Sequence, residues 1–198
     1  MRAILQVIRD KRFDYVAIDD RKAMREAAAH VIGLGHRRLL YIVRDKRLAI
    51  VQRRIEGFRE ACSAARPDVA GIVIQRDPDD GSFARQIADA LASRKPPTAI
   101  IASNSAVALT TVAILQDMNV HWPRDVSLLA FDEPVWANIV VPPLAVVRHP
   151  TQQLAAQAWK RLLERLQAPE ERPKRVTLDT HLVPRESLGP PRSQRQGR

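Results

Sequence analysis

Three kinds of side chain together can hold a small polar molecule. An arginine presents a rigid fork of donors, an amide offers both a donor and an acceptor, and a carboxylate accepts from hydroxyls or amines. In this 198-residue chain such groups gather in four short segments, each directly after a short apolar run. Segment 44 to 54 carries Arg44, Asp45, Arg53 and Arg54, and segment 75 to 82 carries Asp77, Asp79 and Asp80. Segment 103 to 105 is Ser103, Asn104 and Ser105, and segment 132 to 136 brings Asp132, Glu133 and Trp136. A planar donor, an amide and a carboxylate converging on one crevice suit a small polyol, nucleoside or acid.

Reaction chemistry has no matching set. Gly33-Leu34-Gly35 is a fragment of a dinucleotide loop, but it ends a helical stretch and lacks the third glycine. His30 and His36 have no third metal ligand nearby. No serine sits in a G-x-S-x-G elbow, and the adjacent acids Asp19-Asp20 and Asp79-Asp80 read as caps and turn residues. Neither an enzyme nor a bound cofactor is expected.

The elements that would position the crevice follow from periodicity. Residues 4, 5, 7 and 8 are apolar and suggest a strand, as do 15 to 18. Met24, Ala27, Ala28, Val31 and Ile32 recur at helical spacing, so 21 to 34 reads as an amphipathic helix, capped by Asp19 or Asp20 and ended by Gly33 or Gly35. Strands at 39 to 43, 70 to 74, 98 to 102 and 126 to 131 then alternate with helices at 52 to 65, 83 to 93 and 104 to 117. Short, continuously apolar strands between helices mark a parallel sheet covered on both faces, hence a doubly wound α/β fold. In such a sheet ligands sit beyond the carboxyl ends of the strands, which is where the four polar segments fall. After Phe131, prolines 134, 142, 143 and 150 mark loops, with a short turn at 138 to 141. A helix is expected over 151 to 167, a strand over 176 to 182, and a disordered tail over 189 to 198.

Composition narrows the setting. One cysteine, Cys62, excludes an intramolecular disulfide framework. Residues 1 to 12 hold only an apolar stretch broken by Gln6 and Arg9, unlike a secretory signal, and no run nears the ~18 apolar residues of a membrane span. A cytoplasmic location with no membrane contact is expected. Net charge is +10, but the basic residues are scattered singly, as on solvated helix faces, and no element shaped for a DNA groove is legible.

Several strings, taken in order, resemble the effector domains of the lactose/galactose-repressor (LacI/GalR) family of bacterial transcriptional regulators. They are VAIDD (16–20), GLGHRRLLYI (33–42), RRIEGF (53–58), TAIIASNSAVAL (98–109), PRDVSLLAFDE (123–133), PPLAVVRHP (142–150) and LVPRES (182–187). The resemblance spans residues 13 to 187 and implies the two-lobed fold of periplasmic sugar-binding proteins. It implies a complete C-terminal lobe, 37 to 148 and 176 to 188, and an incomplete N-terminal lobe, 1 to 36 and 149 to 175. It also implies that Arg54 grips the effector, that Asn104 and Asp132 contact it, and that Asp20 lines the opposite wall. Phe83 or Trp136 is the candidate to stack on a sugar face. Ser105 stands where the family usually has an acid, and Leu48, Ile50, Gly81 and Ser82 stand near further effector positions, so effector identity is open.

The implied function is ligand sensing by a dimeric regulator, in which a sugar, sugar acid or nucleoside between the lobes controls operator binding. DNA contact is then expected only through a headpiece, for which these residues show no counterpart. A periplasmic-type sugar-binding protein of a transporter shares the fold and is the alternative.

Overall fold

A computed structural model of the chain describes residues 13–65, 67–75 and 82–192. The strand expected at 4 to 8, the acids Asp77, Asp79 and Asp80, Gly81 and the end of the tail lie outside the described residues.

The described elements are, in chain order, β1 (Tyr15–Ile18), α1 (Asp20–Gly33), β2 (Arg38–Val43), α2 (Ala49–Ala64), β3 (Ala70–Gln75), α3 (Ser82–Ala92), β4 (Ala99–Ala102), α4 (Ser105–Asp117), β5 (Ser127–Phe131), β6 (Ala145–Arg148), α5 (Thr151–Gln167), β7 (Arg175–Leu178) and β8 (His181–Val183). A 3-10 turn, Val135–Asn138, lies between β5 and β6. Six strands form one sheet in the order β3-β2-β4-β5-β6-β8, in which β8 alone runs antiparallel. The strands β1 and β7 pair in parallel as a separate two-stranded sheet.

The expected parallel α/β sheet is present, and its pleat shows why the strands read as unbroken apolar runs. Leu39, Tyr41, Ile101, Leu129, Phe131 and Val147 face one cluster, built with α1 and α2. Leu40, Ile42, Ile100, Leu128, Ala130 and Val146 face the other, built with α3 and α4. Successive strand residues point to opposite faces, so a strand buried on both needs apolar residues throughout.

Asp19 caps α1 by accepting from the backbone amides of Arg21 and Lys22, and Gly35 follows the helix at φ 99°, so both expected helix signals operate. The placement of α1 differs from the expectation that residues 1 to 36 belong with the other lobe. Its apolar stripe, Ala23, Met24, Ala27, Ala28 and Val31, is buried against α2 and the six-stranded sheet. Gly57 makes that packing possible: a Cβ there would lie 2.1 Å from Arg21 O, so the two helix backbones nearly touch. A periodic stripe tells that a helix is buried on one side, not which sheet it covers.

The single strand expected over 176 to 182 is two. The first half, β7, pairs with β1, and the second, β8, pairs with β6. Both halves alternate, so the break at Asp179-Thr180 leaves no mark on the pattern. β6 was hidden by its setting, four residues between Pro143 and Pro150. The tail does not become disordered at 189: Gly189 exchanges backbone hydrogen bonds with Ser127 Oγ, and its carbonyl lies 2.8 Å from His36 Nε2.

The small unit is β1, β7 and α5. Asp14 clamps it, accepting from Arg161, Arg165 and the Lys174 amide. Outside that clamp α5 presents Trp159, Leu162, Leu163 and Leu166 to solvent.

Candidate functional site

The strand order reverses between β2 and β4, and the crevice of such a sheet opens beyond the carboxyl ends of the strands flanking that point. Arg54 comes from α2, which follows β2. Its side chain lies on the α1–α2 face, with the guanidinium carbon 3.8 Å from the centroid of the Phe131 ring at the end of β5. Nε donates to Asp20 Oδ1 at 2.8 Å, and Nη1 donates to the Ser103 carbonyl at 2.7 Å. Arg54 and Asp20 are 5% and 2% exposed, which makes this a buried ion pair rather than a solvated helix charge. Burial pushes the Asp20 carboxyl above the ordinary range, against the pull of Arg54.

Asp132 follows Phe131 at φ 73°, a left-handed backbone uncommon for non-glycine residues but one that aspartate adopts more readily than most. Its amide donates to Val147 O at 3.1 Å. Its Oδ1 lies 3.0 Å from His149 Nε2, close enough for an ion pair but not aligned as a directed hydrogen bond. Burial works against the Asp132 charge, yet His149, Arg54 and the Ser105 amide together hold its carboxyl below the ordinary value. The His149 ring also meets Phe131 edge-on, with centroids 5.4 Å apart. Phe131 therefore has Arg54 over its face and His149 at 84° to its plane, and a continuous set of contacts runs from Asp20 through Arg54, Phe131 and His149 to Asp132.

Four of the six expected site residues gather here. Arg54, Asp20 and Asp132 are in contact or share partners. Asn104 begins α4 next to Ser105, and its Oδ1 accepts from the Val107 amide at 2.9 Å, so it caps the helix as well. Phe83 does not join them. It lies on α3, on the opposite face of the sheet, buried among Leu40, Ile87 and Ile100. Trp136 packs from the 3-10 turn against that same second cluster. Phe83 is a core residue and Trp136 a half-buried one, and their elements cover the opposite face of the sheet from Arg54. Of the other polar candidates, Arg53 pairs with Asp19, Asp45 with Arg47, and Glu133 with Arg148 and Arg185.

Sequence reasoning missed Phe131 and His149. Phe131 read as the last residue of a buried strand and His149 as a loop residue. Only the sheet register, which sets Phe131 opposite Val147, brings them side by side.

Two residues of the site sit where the chain passes between the sheets. Asp20 opens α1, separated from the end of β1 only by the cap residue Asp19, and His149 lies between β6 and α5. The site thus includes groups whose chain neighbours belong to the small unit. Two acids, one permanent cation and an imidazole can accept from hydroxyls and offer a planar donor. They include no activated nucleophile.

The sequence model for the periplasmic binding protein-like domain matches residues 28–188. A protein of Rhizobium rhizogenes named as an opine utilization operon repressor is 30% identical over 169 residues, which cover 81% of this chain and 85% of that relative. The HTH-type transcriptional regulator DegA of Bacillus subtilis is 28% identical over 89% of this chain, but the match spans only 52% of its own length. Among solved structures, a LacI family transcriptional regulator from Enterococcus faecium with bound ribose superposes with a TM-score of 0.78 at 26% identity, over 89% of this chain and 65% of its own. The transcriptional regulator CelR–cellobiose complex gives 0.77 at 26% identity, over 90% of this chain and 55% of its own. This chain therefore belongs to the periplasmic-binding-protein-like domain family, in the form that LacI/GalR-type transcriptional regulators carry.

Proposed function

We propose that the chain is the ligand-sensing part of a LacI-type regulator, which binds a small polar effector at the Arg54–Asp132 crevice and thereby sets the operator affinity of the whole protein. One observation carries the reading. The buried Arg54–Asp20 pair and the Asp132–His149 pair meet across Phe131 at the carboxyl ends of the strands, beside two of the passages between the sheets. Two similar regulators are described with bound ribose and with cellobiose, and a third is named for opine utilization. They support a sugar or a sugar- or amino-acid-derived effector. All are regulators by name, which favours this reading over the transporter alternative and over an enzyme.

The finer parts belong to the same proposal. The effector sits between the C-terminal portion and the lobe that β1, β7 and α5 represent. Two copies form a homodimer, for which the exposed Val135, Ile139 and Val141 around the 3-10 turn are a candidate contact. DNA is reached through a headpiece. The location is cytoplasmic; among the described residues no helix is long and apolar enough to cross a membrane.

The test is a thermal-shift screen of ribose, cellobiose, sugar acids, nucleosides and opines. At 100 times its dissociation constant a ligand stabilises the fold by about 2.7 kcal/mol. Arg54→Ala and Asp132→Ala should each abolish the shift of a confirmed hit. An undiminished shift in both variants refutes the site.

A further inference from the structure

Two buried hydroxyls beside this crevice have no role in the contacts described so far. Tyr41, on β2, is fully buried with its ring 5.2 Å from that of Phe58, and its hydroxyl has no hydrogen-bond partner among the described residues. Ser103, at the end of the neighbouring strand β4, is 1% exposed and its Oγ is equally without a partner. The Ser103 backbone, by contrast, is fully used: its amide donates to Ile42 O, and its carbonyl takes Arg54 Nη1. Tyr41 faces the same cluster as Phe131, on the strand that pairs with β4. A buried hydroxyl without a partner is costly, and phenylalanine at 41 or alanine at 103 would avoid the cost while keeping most of the packing.

We propose that Tyr41 and Ser103 are specificity-determining residues, whose hydroxyls stand in reserve in the unliganded site and gain partners when a hydroxyl-bearing ligand engages Arg54. The proposal rests on ligand binding at this crevice. The Arg54 guanidinium is committed through Nε to Asp20 and through Nη1 to Ser103 O. A ligand oxygen that draws the guanidinium toward itself weakens both bonds and would leave Asp20 buried with an uncompensated charge. The Tyr41 hydroxyl then donates to the carboxylate, and the Ser103 hydroxyl donates to the ligand or to the oxygen that Arg54 has left. No proton changes owner, because each hydroxyl only turns toward an acceptor. A ligand with no acceptor for Arg54 leaves both hydroxyls orphaned and is disfavoured, as in sites that reject an analogue lacking a hydrogen-bonding group.

Tyr41→Phe and Ser103→Ala test this through two readouts, the melting temperature of the unliganded chain and the dissociation constants for D-ribose and cellobiose by calorimetry. The expected result is an unliganded melting temperature equal to or above that of the wild type, with binding of whichever sugar the wild type takes weakened about five- to tenfold in each variant. A clear fall in the unliganded melting temperature of both variants overturns the proposal, since the hydroxyls would then already be partnered. Unchanged dissociation constants overturn it as well. If the wild type binds neither sugar, the ligand reading is what those sugars contradict, and the unliganded comparison still judges the reserve hydroxyls: no loss of stability supports them, and a loss removes them.

Discussion

Arg54 donates to Asp20 at 2.8 Å in a pair almost closed to water, and the two residues stand 34 positions apart on helices whose backbones touch at Gly57. The residue expected to grip an effector is therefore also a structural group. Removing charges from water costs several kcal/mol per ion, and only a well-made pair with further hydrogen bonds offsets it. Here the further bonds are the Ser103 carbonyl and the Phe131 ring face.

The first prediction follows from that pairing. Arg54→Met leaves Asp20 buried without its cation, and Asp20→Leu leaves Arg54 without its anion. Each single change should cost roughly 3–5 kcal/mol in urea unfolding. The double variant should cost less than the sum, with a coupling of about 2 kcal/mol, because neither charge is then left alone. Strict additivity would mean that the pair contributes nothing to the fold and that Arg54 is held only by ligand-site packing.

How far the sequence reveals this site depends on what each residue's position is read from. The segments that hold Arg54, Asn104 and Asp132 were legible because they follow apolar strands, whose ends are where an open parallel sheet exposes its crevice, and the resemblance to LacI/GalR effector domains picked out these three within them. The face of the sheet was not visible. Phe83 sits as near a strand end as Arg54 does, yet α3 covers the opposite face and places it in the second cluster. The same gap misplaced α1, whose stripe of Met24, Ala28 and Val31 fits any apolar sheet equally well. His149 was illegible for a different reason. Its partners Phe131 and Asp132 reach it through the β5–β6 register, and β6 itself was masked by prolines on both sides.

The second prediction concerns acid. Glu133 is held down to about 2 from an ordinary 4.5, chiefly by Arg148 and then by Arg185, and it ties the end of β5 to β6 and to the segment after β8. Its folded pKa lies below the unfolded one. The stabilisation it provides is therefore present above about pH 4.5 and is lost as pH falls toward about 2. Asp132 titrates in the same sense, whereas Asp20, raised by burial, works in the opposite sense. Arg148 is half exposed, so the effect is screened and small. Glu133→Gln should melt about 2 °C below the wild type at pH 7. The gap should narrow by pH 3 and close only toward about pH 2. A gap that stays constant over this range would show that Glu133 acts through shape and not through charge.

The third prediction uses two glycines whose local sequence gives the same advice and whose surroundings give opposite advice. Both lie in helices, where alanine is the better residue by up to about 1 kcal/mol. At Gly33, the last residue of α1, an added Cβ meets nothing within 4 Å. Gly33→Ala should raise stability by about 0.4–1 kcal/mol, through the reduced freedom of the unfolded chain. At Gly57 the added Cβ would lie 2.1 Å from Arg21 O and 3.0 Å from Arg25 N, both backbone atoms that cannot rotate away. The α1–α2 contact would have to widen, which costs typically 1–3 kcal/mol and outweighs the helix gain. Because α2 carries Arg54 and α1 begins at Asp20, the same widening should lengthen their ion pair. Gly57→Ala should then lower both the unfolding free energy and the affinity for any confirmed effector, while Gly33→Ala leaves affinity unchanged. Urea unfolding and calorimetry of the two variants decide it. A Gly57→Ala protein as stable as the wild type would show that α1 does not pack on α2 as closely as the structure has it, and would return α1 to the lobe that the family resemblance implied.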